Sequence, residues 1–211
     1  MKEQRRMRMF PLSSVMFPRG VMPLHVFEPR YLAMINEAID DDGVFGVVLI
    51  ERGWEVGGGD TRFTVGTAGR IVSAGVLEDE RMAVVAVGTD RFDVVEWLEE
   101  DPYPVALVSD RTEASSGLGV DADEVELAFR SWRRVAGLAS ELGADVGTAD
   151  LKLPDDPRDA LWVLASVSPL EQIDRQRLLE EDDPLVRVAM LRRGLDEQAE
   201  VLEARLAGGL T

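Results

Sequence analysis

The hydrophobic period of this chain changes once, and that change limits what the chain can fold into. Up to about residue 111, apolar side chains recur at alternate positions in short β-branched runs broken by Gly or Asp. Beyond the small polar segment TEASSGLGVDAD at 112–123 they recur at every third or fourth position. A β-rich unit over 1–111 followed by a helical unit over 112–211 is therefore expected, an α+β chain with a Gly/Ser-rich joint between its halves.

In the first half, the pattern places strands near Arg8–Phe10, Phe45–Ile50, Val65–Ser73, Met82–Gly88, Phe92–Trp97 and Tyr103–Val108. Six short strands fit a small barrel, and Gly66 and Gly69 in TVGTAGRIV permit the bends that closure needs. EDER at 78–81 reads as a hairpin turn between two of these strands. One helix interrupts the series. In EPRYLAMINEAID, residues Tyr31, Met34, Ile35, Ala38 and Ile39 share a helical face, with Pro29 suited to the first turn, and this helix should cap the barrel.

The second half opens with Asp121 three residues before Glu124, a capping signature, and then Val125, Ala128, Phe129, Trp132, Val135, Ala139 and Leu142 at helical spacing. Three further starts place proline in the first turn: Asp156-Pro157, Ser168-Pro169 with Glu171 completing a capping box, and Asp183-Pro184. The last helix carries Leu185, Val188, Leu191, Leu195, Leu202 and Leu206 as a stripe, the expected core of a compact bundle.

Composition narrows the function. At 45% apolar and 30% charged residues, the chain belongs with globular proteins rather than disordered ones. The absence of cysteine excludes disulfides, thiolate metal sites and a cysteine nucleophile. The net charge of −17 is shared, with 11 basic and 19 acidic residues in 1–110 (−8) and 12 and 21 in 111–211 (−9). Such a surface repels polyanions, so neither nucleic acid nor an anionic membrane is an expected partner. The basic start MKEQRRMRMFPLSS lacks the apolar stretch of a signal peptide, and no run approaches the length of a bilayer span, so a cytoplasmic location is expected.

Residues able to do chemistry are few. The single histidine, His25 in PLHVFEPRY, would need a nucleophile beside it to act as a base, and a histidine at the edge of an apolar stretch is ordinarily structural. Lys152 sits in the linker-like ADLKLPDDP, where solvent keeps it charged. GGGD at 57–60 fails the spacing of a phosphate-cradling loop because Arg62 occupies the third glycine position. The carboxylate runs at 40–42, 155–156 and 180–183 lack cation-loop spacing and sit where helices start or stop. No cofactor or metal, and no catalytic residue, is expected.

The order MFPLSSVMFPRGVMPLHVFEPRYLAMINEAI, FGVVLI, VGTAGRIV, VVAVGTDRFDVVEW and YPVALV resembles the N-terminal substrate-binding domain of Lon proteases. DDPRDALWVLAS and IDRQRLLEEDDPLVRVAMLRRGL are similar to that domain's helical part, so the resemblance covers roughly 7–206. It implies a small PUA-like β pseudo-barrel with an inserted helix, followed by a C-terminal helical bundle. It also implies recognition of unfolded or extended polypeptide segments, in an adaptor-like role toward a separate protease or chaperone. The ATPase and peptidase modules of the full enzyme have no counterpart in this sequence, so no hydrolysis is expected. An apolar patch is the expected contact, with Met16, Phe17, Met22 and Trp54 as its candidates: the first three in a proline-punctuated loop, the last in a polar hairpin-like segment. Two other readings are a cofactor-free enzyme using His25 with a carboxylate such as Glu28, and a PUA-like RNA binder, which the charge opposes.

Overall fold

The computed structural model describes residues 3–52, 61–77, 81–113, 119–144 and 151–208. The chain divides into two compact units, Met1–Thr112 and Glu113–Thr211. The first holds strands β1 (Gln4–Leu12), β2 (Val21–Val26), β3 (Val44–Arg52), β4 (Thr61–Val76), β5 (Met82–Trp97) and β6 (Val105–Asp110), with helix α1 (Pro29–Asp40) between β2 and β3. The second holds α2 (Ala122–Glu141), α3 (Pro157–Val167), α4 (Gln172–Glu180) and α5 (Pro184–Gly208).

The six strands form one sheet in the order β2-β5-β4-β3-β1-β6, and an added β5–β6 pairing closes it. Five strands thus make a ring, and β2 stands outside it, paired to the first half of β5. β1 runs parallel to β3, while every other neighbouring pair is antiparallel. Closure needs close backbone approaches. A Cβ on Gly66 would stand 2.3 Å from the Val47 carbonyl oxygen and 2.7 Å from Phe92 Cζ, so no larger residue fits there without a shift.

Two apolar clusters fill the unit. Met7, Met9, Val48, Ala68, Phe92, Ala106 and Val108 form one. The other joins Phe10, Phe45, Val47, Met82 and Val84 to Tyr31, Met34 and Ile35 of α1, with the Tyr31 and Phe10 rings stacked at 4.3 Å. Helix α1 covers this second cluster as its apolar face dictates. Ile39, expected on that face, is 44% exposed, while its neighbour Ala38 is fully buried.

Two sequence expectations about strands are corrected. Met82–Gly88 and Phe92–Trp97 are one 16-residue strand, since the chain stays extended through Thr89–Arg91 across a register shift in its ladder with β4, which resumes at Arg91 opposite Thr67. β2 was unexpected: Pro23 and His25 dilute its β signal, and among the described residues its strand partner is β5.

In the helical unit, the Asp121 carboxylate accepts from the Glu124 N–H, Asp156 from Arg158 and Asp159, and Asp183 from Leu185, as the sequence signatures require. Ser168 does not start a helix. It ends α3 and its hydroxyl donates to the Leu164 carbonyl at 2.6 Å, while α4 begins at Gln172 with no side-chain cap on Glu171. Arg175 reaches back to α3 and donates to the Ala165, Ser166 and Ser168 carbonyls at 3.2, 3.1 and 2.8 Å, satisfying acceptors that a helix end leaves open. The α5 stripe is buried at Val188, Leu191, Leu195, Ala199 and Leu202, and Val125, Ala128, Phe129, Trp132 and Val135 of α2 are buried as expected.

Arg187 of α5 is fully buried. It donates to Glu113 Oε1 at 2.7 Å and to the Glu181 carbonyl at 2.6 Å, and its guanidinium lies 3.7 Å from the Trp162 ring centroid. Burial pulls its pKa below the usual value, against the hydrogen bond and charge of Glu113.

Candidate functional site

The arrangement of β2, β5 and β4 creates an exposed sheet face outside the ring. Paired residues in an antiparallel ladder project to the same side, so each rung can be read across the three strands. The outer rungs are Val21–Val87–Arg70, Pro23–Val85–Ser73 and His25–Ala83–Gly75. None of these nine positions carries a carboxylate, in a chain where 40 residues are acidic. Val21 is 67% exposed, and a β-bulge between Ile71 and Ser73 leaves Val72 58% exposed beside the face. At the far end of the ribbon Phe27, Val76 and Leu77 are also exposed. The intervening residues Met22, Leu24 and Val26 point the other way, onto the apolar cluster beneath α1.

Of the four residues expected to form the binding patch, Met22 lies on β2 and is half buried against the core. Met16 and Phe17 are corrected: they are 3% and 1% exposed and belong to the interior. Their loop is fastened to the sheet. Thr67 Oγ1 donates to the Met16 carbonyl at 2.7 Å, the Arg19 N–H donates to the Gly88 carbonyl at 2.8 Å, and the Gly88 N–H donates to the Gly20 carbonyl at 2.9 Å. Trp54 lies outside the described residues, as do GGGD at 57–60 and most of the expected turn at 78–81. Val21, Val85, Val87 and Phe27 were missed. The signal that could have found them is the alternation of VMPLHVF, in which Val21, Pro23, His25 and Phe27 share one parity.

His25 is exposed on β2, and among the described residues no hydrogen bond joins it to a carboxylate. The nearby Glu28 is engaged by Arg30 at 3.1 Å. Elsewhere in the same unit, Tyr103 donates to Glu37 and is linked to Arg8, which pairs with Asp41 at 3.0 Å. Burial, then the hydrogen bond to Glu37, push the Tyr103 hydroxyl above its ordinary pKa, so it stays a donor. This network ties β1 to the end of α1.

The helical unit offers a separate shallow groove of ≈ 160 Å³ between α4, α5 and the turn before α4. Leu170, Leu178 and Met190 form its floor, and its rims are the ion pairs Asp174–Arg177 at 2.9 Å and Arg193–Glu197 at 2.8 Å. Each rim charge is matched by its neighbour, so the groove carries no net charge.

A closed β ring with an added outer strand and an inserted helix, followed by a helical unit, defines an α+β chain. Residues 6–197 match the family described as the ATP-dependent protease La (LON) substrate-binding domain, and the chain belongs to that family. Among curated proteins it is similar to Lon protease 2 of Myxococcus xanthus, 31% identical over 194 residues, and to Lon protease of Anaeromyxobacter dehalogenans, 29% identical over 195. Both alignments cover 90% of this chain and 23% of the relative, so the chain spans about a quarter of the length of these proteins. Among solved structures, the Lon N-terminal domain protein from Xanthomonas campestris matches with a TM-score of 0.65 and 29% identity, covering 89% of this chain and 96% of that one. The N-terminal domain of Mycobacterium avium complex Lon protease, at 16% identity and a TM-score of 0.61, shares the fold. No helix among the described residues is long and apolar enough to cross a membrane.

Proposed function

We propose that the first unit is a non-catalytic module that binds unfolded or extended polypeptide segments, in an adaptor-like role serving a protease or chaperone in the cytoplasm. The observation that carries this reading is the acid-free apolar face built by β2, β5 and β4 in a strongly acidic chain. An exposed apolar area of this kind ordinarily marks an interaction site. Unfolded chains offer what it can hold, apolar side chains at alternate positions with no competing tertiary structure. Membership of a substrate-binding family supports the reading.

The test is fluorescence anisotropy of a labelled, unfolded polypeptide titrated with the protein in the absence of nucleotide, beside the same segment in a folded context. Saturable binding that prefers the unfolded form is expected, weakened about tenfold by Val21→Asp, which places a carboxylate on the acid-free face. No binding at tens of micromolar, or equal binding by the Val21→Asp variant, refutes the assignment of this face.

A further inference from the structure

The hydrogen-bond parity of β2 shows more than an apolar face. Gly88 donates to Gly20, and the register continues without a shift from Val21↔Val87 to Val26↔Met82. The Gly20 carbonyl thus faces β5, although the Gly20 N–H turns back to Phe17, and by alternation the residues of β2 whose main chain faces β5 are Met22, Leu24 and Val26. The main-chain groups of Val21, Pro23 and His25 point away from β5, along the free edge. Among the described residues, none of these three has a main-chain hydrogen bond on that side. Their side chains are those of the outer apolar face. Pro23 occupies an edge-facing position, the one place in a strand where its missing N–H breaks no ladder.

Resting on the polypeptide-binding reading above, we propose that β2 takes its ligand as an added antiparallel strand, continuing the antiparallel β4–β5–β2 ladder: an extended segment, apolar at alternate residues and neutral or cationic between them. Val21 and His25 each supply a donor and an acceptor, and Pro23 supplies an acceptor, so two, two and one make five main-chain hydrogen bonds. The ligand residues that make these bonds project their side chains onto the outer face beside Val21, Pro23 and Val85, which is why they are the apolar ones. The residues between them project to the opposite side. The charge of −17 disfavours an acidic ligand and draws a cationic one.

A second copy of the chain is a poorer occupant on two counts. Like charge opposes it. In an antiparallel β2–β2 pairing centred on Pro23, Val21 faces His25 of the other copy and Pro23 faces Pro23, so the middle rung has no donor on either side. A foreign strand opposite Pro23 keeps its own N–H and loses only one bond.

The experiment uses the whole protein and fluorescein-labelled peptides of about twelve residues alternating valine and lysine, longer than β2. One peptide is N-methylated at every valine, another at every lysine. Strand addition predicts that methylating the valines weakens binding at least tenfold while methylating the lysines leaves it within about twofold. His25→Pro, which removes an edge-facing N–H, is expected to weaken the unmethylated peptide about tenfold. His25→Ala, which trims the outer face but keeps that N–H, is expected to weaken binding less than His25→Pro does. If both methylated peptides bind alike, or the order is reversed, antiparallel strand addition is wrong while polypeptide binding stands. If no peptide binds in any form, the polypeptide-binding reading itself fails. Should His25→Pro not fold, the peptide pair still decides. A dimer in sedimentation equilibrium that excludes peptide would also overturn the proposal.

Discussion

Removing the carboxylate that faces Arg187 is expected to destabilise the helical unit by about 2–3 kcal/mol, and the size follows from the geometry. Arg187 is fully buried and Glu113 Oε1 lies 2.7 Å from its Nη1, while the Glu113 side chain is 20% exposed. Two unit charges about 4 Å apart attract by about 4 kcal/mol at an effective dielectric near 20. Part of that is returned when Glu113 is lost, because its own partial desolvation no longer has to be met. The Glu181 carbonyl and the Trp162 ring remain to hold the cation. Breaking a fully buried pair costs about 3–5 kcal/mol, and the access of water to Glu113 places this one toward the lower end. Glu113→Ala should show the full loss and Glu113→Gln about half, since the amide oxygen still accepts a hydrogen bond. Adding Arg187→Met to Glu113→Ala should recover part of the loss, because the charge left without its partner is removed as well. Urea denaturation followed by far-UV circular dichroism reads the helical unit directly, and an unchanged slope would show that only stability has moved. If Glu113→Ala lies within about 0.5 kcal/mol of the parent, the buried ion pair does not hold α5 as argued.

Other outcomes follow from the same physics. Gly88→Ala would place a Cβ 2.0 Å from the Phe17 carbonyl oxygen, so the loop carrying Met16 and Phe17 must lift; a loss of about 2–3 kcal/mol and new binding of a hydrophobic dye are expected, and an unchanged melting curve would contradict the packing. The raised pKa of Tyr103 stabilises the fold fully below its ordinary value of 10.0 and less as pH climbs from there through the folded-state value. Tyr103→Phe should therefore flatten the alkaline limb of the stability profile, and an identical limb in both proteins would rule Tyr103 out. Arg175→Met opens three carbonyls at the end of α3 and should cost about 2 kcal/mol by chemical denaturation. Asp156→Ala removes an N-cap and should cost about 1 kcal/mol.

The sequence made the helical unit plainly readable because local signals agreed there. Asp121, Asp156 and Asp183 cap where their spacing requires, and the middles of the α2 and α5 stripes are buried, while Leu142 just past α2 is exposed. Ser168 misled because a Ser-Pro pair opens helices and also closes them; only the tertiary path shows that its hydroxyl turns back to Leu164. The β unit was readable as alternation, but neither its pairing nor its exposed faces were. Met16 and Phe17 looked like a loop surface, and the contacts that bury them come from Thr67 and Gly88, residues far away in the chain. The candidate face escaped for the same reason. Val21, Val85 and Arg70 become neighbours only through pairing, and no local pattern states which strands pair.

β1 and β6, the first and last strands of the first unit, lie side by side, with Gln4 opposite Ser109 and Arg5 bonded to Asp110, 105 residues later. The two ends of the unit therefore sit within a few ångströms of each other, which makes it a natural candidate for circular permutation or for insertion into a host loop. During synthesis at roughly 5–20 residues per second, β1 waits on the order of 5–20 s for this neighbour to emerge. The ring is closed by the last strand made, so a nascent chain halted before residue 105 holds a sheet with an open seam.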